Sequence, residues 1–300
     1  MDHARPNFFA GPYIDRRAEV RDEAGWLDAA RADRGTLYMV GKGTAQLIRT
    51  KPEPRVEFLT NDHSIVREAD PKQLILLGWF QGARCVLIEI ESERELRNVP
   101  EGATFEELRP LSPLLRGEEA GLLSYARALV IWRSRHRFCG VCSKPTVPER
   151  AGHSMRCTNE ICRHEFFPRL DPAIIVLVTD GELALLGRQA SWPAGRFSTI
   201  AGFVEPGESL EDAVAREVME ETAVPVISVS YDSSQPWPFP SSLMVGFHAT
   251  AEPGSLVRVS GELEAAAWFT REQINSGGTM VPPSHAISYR LISAWLNGRQ

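Results

Sequence analysis

The segment 202–224, GFVEPGESLEDAVAREVMEETAV, leaves the backbone few choices. Ser209-Leu210-Glu211-Asp212 has the form of a capping box, with Ser209 as N-cap and Asp212 where Glu or Gln is usual. Leu210, Val214 and Val218 then stand at i, i+4 and i+8, an apolar stripe that a fold must bury. Glu217, Glu220 and Glu221 stand at i, i+3 and i+4 and share another face. Pro225 supplies a stop. The segment therefore predicts a strand end, a loop and a helix with one face in the core and one face strongly acidic. Such a charge run is ordinarily a solvated surface. Three neighbouring carboxylates repel one another, however, unless a cation lies among them. Oxygen donors suit a hard divalent ion, Mg²⁺ or Mn²⁺, which a few carboxylates hold together with substrate phosphates.

Gly202, Glu208 and Arg216 stand at fixed distances from these acids, and together they make the pattern specific. G-x5-E-x7-R-E-x2-E-E closely resembles the Nudix box, the mark of hydrolases that cleave a nucleoside diphosphate linked to another group. The resemblance implies that Glu217 and Glu221 coordinate the divalent ions, with the backbone carbonyl of Ala201 beside them. Glu220 is then the general-base candidate. Arg216 orients one of the acids, and Glu208 buttresses the loop. One position departs from the pattern: Ala223 replaces the final Gly. That Gly suits a helix end, where a left-handed residue is common. Ala in that conformation costs about 1 kcal/mol, so a modest cost is expected and not the loss of the site.

The whole chain sets broad bounds. Three hundred residues, 43% apolar and 24% charged, suggest two domains with room for a small third module. The longest apolar run, near Leu74–Phe80, falls far short of the roughly 20 residues a membrane span requires. The N-terminal MDHARPNFFAGPYIDRR lacks a signal-peptide apolar segment, and the C-terminal NGRQ is no peroxisomal address, so a cytoplasmic location without membrane contact is the expectation. The net charge of −6 excludes bulk binding of polyanions. Between Arg127 and Arg169, however, nine Lys/Arg stand against three Glu, a local basic stretch that could meet phosphates or simply face water.

The fold class read from these patterns is α/β. Residues 1–126 form a mostly β N-terminal α+β domain, 127–168 a helix end plus a small zinc ribbon, and 169–300 a C-terminal hydrolase domain whose mixed sheet between helices matches the α/β/α sandwich that the Nudix resemblance implies. In the first part LYMVGKGTAQLI, RVEFLT, QLILLGWF and ARCVLIEI read as strands, with a turn at Gln81-Gly82. The Pro- and Glu-rich piece Asn98–Glu119 reads as connector, and Gly121–Arg135 as a helix. In the last part AIIVLVTD and ELALLGRQ read as a hairpin across Asp180-Gly181. LMVGFHATAE and EAAAWFT read as further strands and Ala286–Leu296 as a closing helix.

Two cysteine knuckles lie between. Cys139 and Cys142 form C-x2-C, Cys157 and Cys162 form C-x4-C, and fourteen residues separate the pairs. This reads as a closed Cys₄ zinc site, one structural Zn²⁺ per chain, with no ligand position left for water. The looser second knuckle leaves room for His153 or His164 in place of a cysteine. Cys85, on an expected strand, reads as a small buried apolar residue.

The nonapeptide SQPWPFPSS, Ser234 to Ser242, follows the acidic segment and resembles the signature of the NADH pyrophosphatase branch of the Nudix superfamily. Pro236, Pro238 and Pro240 pre-set an extended, stiff segment. Trp237 and Phe239 offer faces for a nicotinamide or adenine ring. Gln235, Ser241 and Ser242 offer hydrogen-bonding groups, and Phe167 is a further stacking candidate that could equally be core. The resemblance places a further metal-binding acid at Glu262, six residues before Trp268, where an ordinary surface glutamate is the competing account. It implies metal-dependent hydrolysis of the pyrophosphate of NADH or NAD to (reduced) nicotinamide mononucleotide and AMP, by a homodimer. RNA carrying a 5′ NAD cap presents the same bond, so decapping is the alternative, with Arg133, Arg135 and Arg137 tracking the RNA. A catalytically impaired dinucleotide-binding sensor is the third possibility, supported by Ala223 alone.

Overall fold

The computed structural model defines residues 6–90, 98–259 and 261–298. Parts of the two chain ends inspected for targeting signals, 1–5 and 299–300, lie outside the described residues. Backbone contacts divide the chain into two units. One holds Phe9–Arg169 and Pro238–Ser241, the other Met1–Phe8, Leu170–Trp237 and Ser242–Gln300.

The first unit is built on strands β1 (Ile14–Asp15), β2 (Leu37–Lys42), β3 (Ala45–Arg49), β4 (Arg55–Val56), β5 (Leu74–Phe80), β6 (Ala83–Glu89) and β7 (Ala103–Glu107). They form one sheet in the order β1-β5-β6-β2-β3-β4, with β7 on β3. Helices α1 (Trp26–Ala32), α2 (Ser64–Glu68), α3 (Leu108–Leu111) and α4 (Gly117–Arg135) accompany it. Gln81 and Gly82 both have positive φ, which fits the two-residue turns whose twist matches a hairpin. The apolar runs of β2, β5 and β6 are buried along most of their length, and Tyr38, Val40, Leu74, Leu76, Val86 and Ile88 share one core. Cys85 is wholly buried on β6, as expected. The segment Asn98–Glu119 is not mere connector. ATFEE of β7 carries too few apolar residues to signal a strand, but β3 offers it backbone partners from Ala45↔Glu107 to Arg49↔Ala103.

The cysteine-bearing region belongs to this unit. Its antiparallel strands β8 (Thr146–Glu149), β9 (Ser154–Cys157) and β10 (Glu165–Phe166) pair in the order β10-β9-β8.

The second unit contains β11 (Asp171–Asp180), β12 (Leu183–Arg188), β13 (Ile200–Phe203), β14 (Val226–Trp237), β15 (Ser242–Ala251) and β16 (Ala265–Thr270), with α5 (Leu210–Thr222), α6 (Arg271–Asn275) and α7 (Ile287–Leu296). β11 is central: it runs parallel to β15 and antiparallel to β12 and β13. Its side chains alternate between two cores. Ile174, Val176 and Val178 pack with Ala213, Val214 and Val218 of α5. Ile175 and Leu177 pack with Leu291, Ile292 and Trp295 of α7. The result is the expected α/β/α sandwich around a mixed sheet. The first half of β14, VISVSYDS, was not expected as a strand; half-exposed, it forms as an edge strand on β15, where Pro236 is also tolerated. Among the described residues no helix is long and apolar enough to cross a membrane.

Candidate active site and zinc cluster

The acidic helix starts where the sequence predicts. The Ser209 hydroxyl accepts the Asp212 N–H at 3.1 Å, and the Asp212 carboxylate accepts the Ser209 N–H at 3.1 Å. Val214 and Val218 are fully buried in the core, and of the three acids Glu220 is exposed, Glu217 half-buried and Glu221 buried. Arg216 organises them. Its Nε donates to Glu208 at 2.6 Å, one terminal nitrogen donates to the Phe203 carbonyl at 2.8 Å, and the other donates to Glu217 at 2.9 Å and Glu220 at 3.1 Å. The Glu208 carboxylate also accepts the Glu205 N–H at 2.9 Å. The Arg216 guanidinium, followed by that N–H, holds the Glu208 carboxyl below its ordinary value. Loop and helix are thereby tied through one cation.

Two further features concern the acids themselves. Gly202 has no side chain because Glu217 occupies the space: a Cβ there would lie 1.8 Å from the Glu217 carboxyl carbon. Glu221 is 8% exposed. Burial, then the charges of Glu217, Glu262 and Glu220, push its pKa up to about 7. Glu262 is exposed, yet its charge reaches Glu221. These carboxylates do not converge within 4.8 Å of one another; among the described residues the four thiols are the one group of three or more candidate ligands that does. Ala223 ends the helix at φ 56° and ψ 23°, the left-handed conformation expected of it, and its N–H closes on the Met219 carbonyl.

A cavity of about 220 Å³ opens beside this helix, with Ala201, Glu221 and Trp237 in its wall. Gln235 lines it too, but its amide is engaged elsewhere. Nε2 donates to the Phe8 carbonyl at 2.9 Å and the His285 carbonyl at 2.8 Å, and Oε1 accepts the Ile287 N–H at 2.9 Å. The nonapeptide divides at this point. Ser234 to Trp237, with Pro236 half-buried, belong to the hydrolase unit, whereas Pro238–Ser241 belong to the other. There Phe239 is flanked by guanidinium groups of Arg109 at 4.3 Å and Arg127 at 5.1 Å, and Arg127 also donates to the Pro238 carbonyl at 2.5 Å. Pro240 is exposed, while Ser241 and Ser242 are buried. Phe167, 43% exposed, is an open ring near Arg150, whose guanidinium lies 5.9 Å from its centroid. Sequence reasoning missed Trp192 and Thr199, which also line the cavity. They lie in the irregular stretch QASWPAGRFST, where the Trp-Pro pair was the one available signal.

The four cysteines come together. Sγ of Cys139 lies 3.8 Å from that of Cys162, and Sγ of Cys142 lies 3.4 Å from that of Cys157. A tetrahedral zinc–thiolate site has edges of about 3.8 Å, so the donor set fits Zn²⁺. Both histidine alternatives fall away. His153 is buried with Nε2 2.7 Å from the Leu76 carbonyl, and burial lowers its pKa to about 4. His164 packs edge-on against Phe166, and its carbonyl accepts the Cys157 N–H. The basic stretch is partly consumed by internal pairs. Arg133, expected on a surface, is 8% exposed, ion-paired to Glu89 at 2.8 Å and bonded to the Lys72 carbonyl. Arg150 pairs with Asp22, and Arg156 with Glu149 and Glu165.

Comparison with known proteins covers nearly the whole chain. A NUDIX domain model matches residues 169–296, the NADH pyrophosphatase zinc ribbon domain matches 134–167, and the NADH pyrophosphatase-like rudimentary NUDIX domain matches 35–132. The human NAD-capped RNA hydrolase NUDT12 is 32% identical across 97% of this chain and 73% of its own length. The NAD-capped RNA hydrolase NudC of Mycobacterium bovis is 41% identical across 90% of this chain and 93% of its own. Its Mycobacterium tuberculosis counterpart is 40% identical over the same shares.

Proposed function

This chain belongs to the Nudix hydrolase superfamily, in the branch that joins a NUDIX domain to an NADH pyrophosphatase zinc ribbon, and from that premise we propose that it hydrolyses the pyrophosphate of NADH or NAD. Water attacks one phosphorus and the bridging oxygen departs with the other phosphate, leaving (reduced) nicotinamide mononucleotide and AMP. One observation carries the assignment: the buried acid Glu221, Ala201 and the aromatic face of Trp237 line the same cavity.

The residues fit a divalent ion, Mg²⁺ or Mn²⁺. Their donors are oxygens, and the pKa of Glu221 is raised first by burial and then by the charges of Glu217, Glu262 and Glu220, both of which a bound cation would offset. Glu217, Glu221, Glu262 and the Ala201 carbonyl are the proposed ligands. When bound, such ions neutralise phosphate charge and lower the pKa of the attacking water. Arg216 holds Glu217 and Glu220 in place through one guanidinium nitrogen, and Glu208 fixes Arg216 from the loop side. Glu220, on the exposed side of the cluster, is the group proposed to take the water's proton. Trp237 stacks a ring of the substrate. Cys139, Cys142, Cys157 and Cys162 would hold one zinc in a structural role, since four sulfurs leave no ligand position for water.

A second reading has its own support. The relatives are named for NAD-capped RNA, which presents the same pyrophosphate, and a basic stretch is present. Arg135 and Arg137, not the buried Arg133, are the candidates for its backbone. The left-handed cap at Ala223 leaves the acidic helix intact, so nothing favours a catalytically impaired sensor. The proposal includes a cytoplasmic homodimer, checked by light scattering and by fractionation.

The deciding experiment is a substrate panel of NADH, NAD and NAD-capped RNA with Mg²⁺ or Mn²⁺, products identified by mass, at two salt concentrations. Release of AMP from dinucleotides, lost in Glu217→Gln and Glu221→Gln, is expected. Turnover of capped RNA that falls steeply with salt would assign the second substrate, because bound phosphates release counterions. No cleavage of any pyrophosphate would end the hydrolase assignment.

A further inference from the structure

Among the described residues of the cavity wall, Thr199 alone has a polar group that is buried and without a partner. The residue is 5% exposed, and its Oγ1 makes no hydrogen bond. Buried hydroxyls are nearly always paired, and leaving one unpaired destabilises the fold. Such a group needs an explanation in the ligand or in the fold. The local geometry favours the ligand. Strand alternation sends Ile200 into the core beneath α5, so Thr199 and Ala201 present the opposite face, and both line the cavity with Glu221, Trp192 and Trp237. Rotation about χ1 exchanges the methyl and hydroxyl positions of a threonine without moving its backbone. The hydroxyl can therefore turn toward whatever fills the space.

The chemistry of the cavity narrows the partner. Its two tryptophans suit a planar ring. Gln235, the fully buried amide in the wall, has both Nε2 hydrogens committed to the Phe8 and His285 carbonyls, and its Oε1 already accepts the Ile287 N–H, so it has no donor left for a ring edge. A threonine hydroxyl can accept a hydrogen bond from an N–H. Both rings of a nicotinamide–adenine dinucleotide carry an exocyclic NH₂, one on the carboxamide and one on the purine.

We propose that Thr199 is a specificity-determining residue, its hydroxyl accepting a hydrogen bond from the exocyclic NH₂ of the substrate ring lodged between the tryptophans. This rests on the dinucleotide assignment above and adds to it a single discriminating contact. Substrates whose ring lacks that NH₂ leave the hydroxyl buried and unpaired, and so bind less well.

The test uses Thr199→Val in the full-length protein, which keeps the shape and removes the hydroxyl. Steady-state hydrolysis is measured with NADH and with two analogues: 3-acetylpyridine adenine dinucleotide, which lacks the carboxamide NH₂, and nicotinamide hypoxanthine dinucleotide, which lacks the purine NH₂, each reduced to match. The wild type is expected to disfavour one analogue by about five- to tenfold in KM with little change in kcat, the span of a net hydrogen bond. That analogue names the ring. Thr199→Val should raise KM for NADH by the same factor and treat that analogue as the wild type does. Its melting temperature without ligand should equal or exceed that of the wild type, since an unpaired hydroxyl has gone. Equal effects of the substitution on all three substrates, or none, would overturn the proposal. So would a marked fall in melting temperature, which would show that the hydroxyl serves the fold. Titration of the tryptophan fluorescence with nicotinamide mononucleotide and with AMP separates this from the parent assignment. If the wild type cleaves nothing, weaker mononucleotide binding by the variant still supports the contact, and identical binding refutes it.

Discussion

Replacing Gly202 by Ala should disable catalysis while leaving the fold in place. A Cβ at this position would lie 1.8 Å from the Glu217 carboxyl carbon and 2.0 and 2.2 Å from its oxygens. Non-bonded carbons settle at about 3.5–4.0 Å, so the carboxylate must retreat by roughly 2 Å. The colliding atoms are the free end of a flexible side chain, and the strand need not move. The retreat breaks the 2.9 Å bond to Arg216 and removes Glu217 from the position proposed for metal coordination. A displacement of about 1 Å at a reacting group can cost about 100-fold. AMP release from NADH at saturating Mn²⁺ should therefore fall by at least about 100-fold in kcat, approaching the loss in Glu217→Gln. Mn²⁺ affinity, read by electron paramagnetic resonance of the free ion, should weaken in parallel. Circular dichroism should be unchanged. If Gly202→Ala turned over NADH at the wild-type rate with wild-type Mn²⁺ affinity, Glu217 would have no part in the metal site.

Other expectations follow from the same geometry. Ala223→Gly should stabilise the protein by about 0.5–1 kcal/mol, because glycine adopts the φ of 56° without the Cβ penalty; a lower melting temperature would contradict this. Glu221 titrates near 7 in the ion-free fold against an ordinary value of 4.5, so its contribution to stability is full below 4.5 and lost as pH rises through 7. Divalent ions must displace that proton, and Mn²⁺ affinity should rise about tenfold per pH unit below 7 and level above it, a dependence absent in Glu221→Gln. Among the thiols, burial pushes Cys157 up to about 12 while the Lys144 backbone N–H draws Cys142 down to about 7. Zinc uptake should thus release protons, and Cys157→Ser should lower the melting temperature while sparing kcat per folded molecule, measured after removal of aggregates.

Legibility differed from element to element. Helix α5 could be read completely, because its cap, its apolar stripe and its acidic face are all local matters of spacing. The two cysteine knuckles were legible as a metal site, but only the packing of His153 and His164 elsewhere left the four thiols as its ligands. Strand β7 and the first half of β14 could not be read, because both form by pairing with an edge that sequence far away supplies. Gln235 reads in the sequence as a hydrogen-bonding group for substrate; the fold places it in the cavity wall and also ties its amide to three distant backbone groups, which spacing could not show.

The sequence by itself determined the chemistry: an acidic helix, its arginine organiser, a thiolate site and an aromatic segment, each encoded within some two dozen residues. Only the tertiary structure decided which of these groups remain available. It buried Arg133 against Glu89, engaged Gln235, seated Glu217 on Gly202 and left the Thr199 hydroxyl unpaired in a cavity wall. Spacing dictates which side chains share a face, but the state of a polar group depends on what packs over it, and those neighbours come from remote parts of the chain.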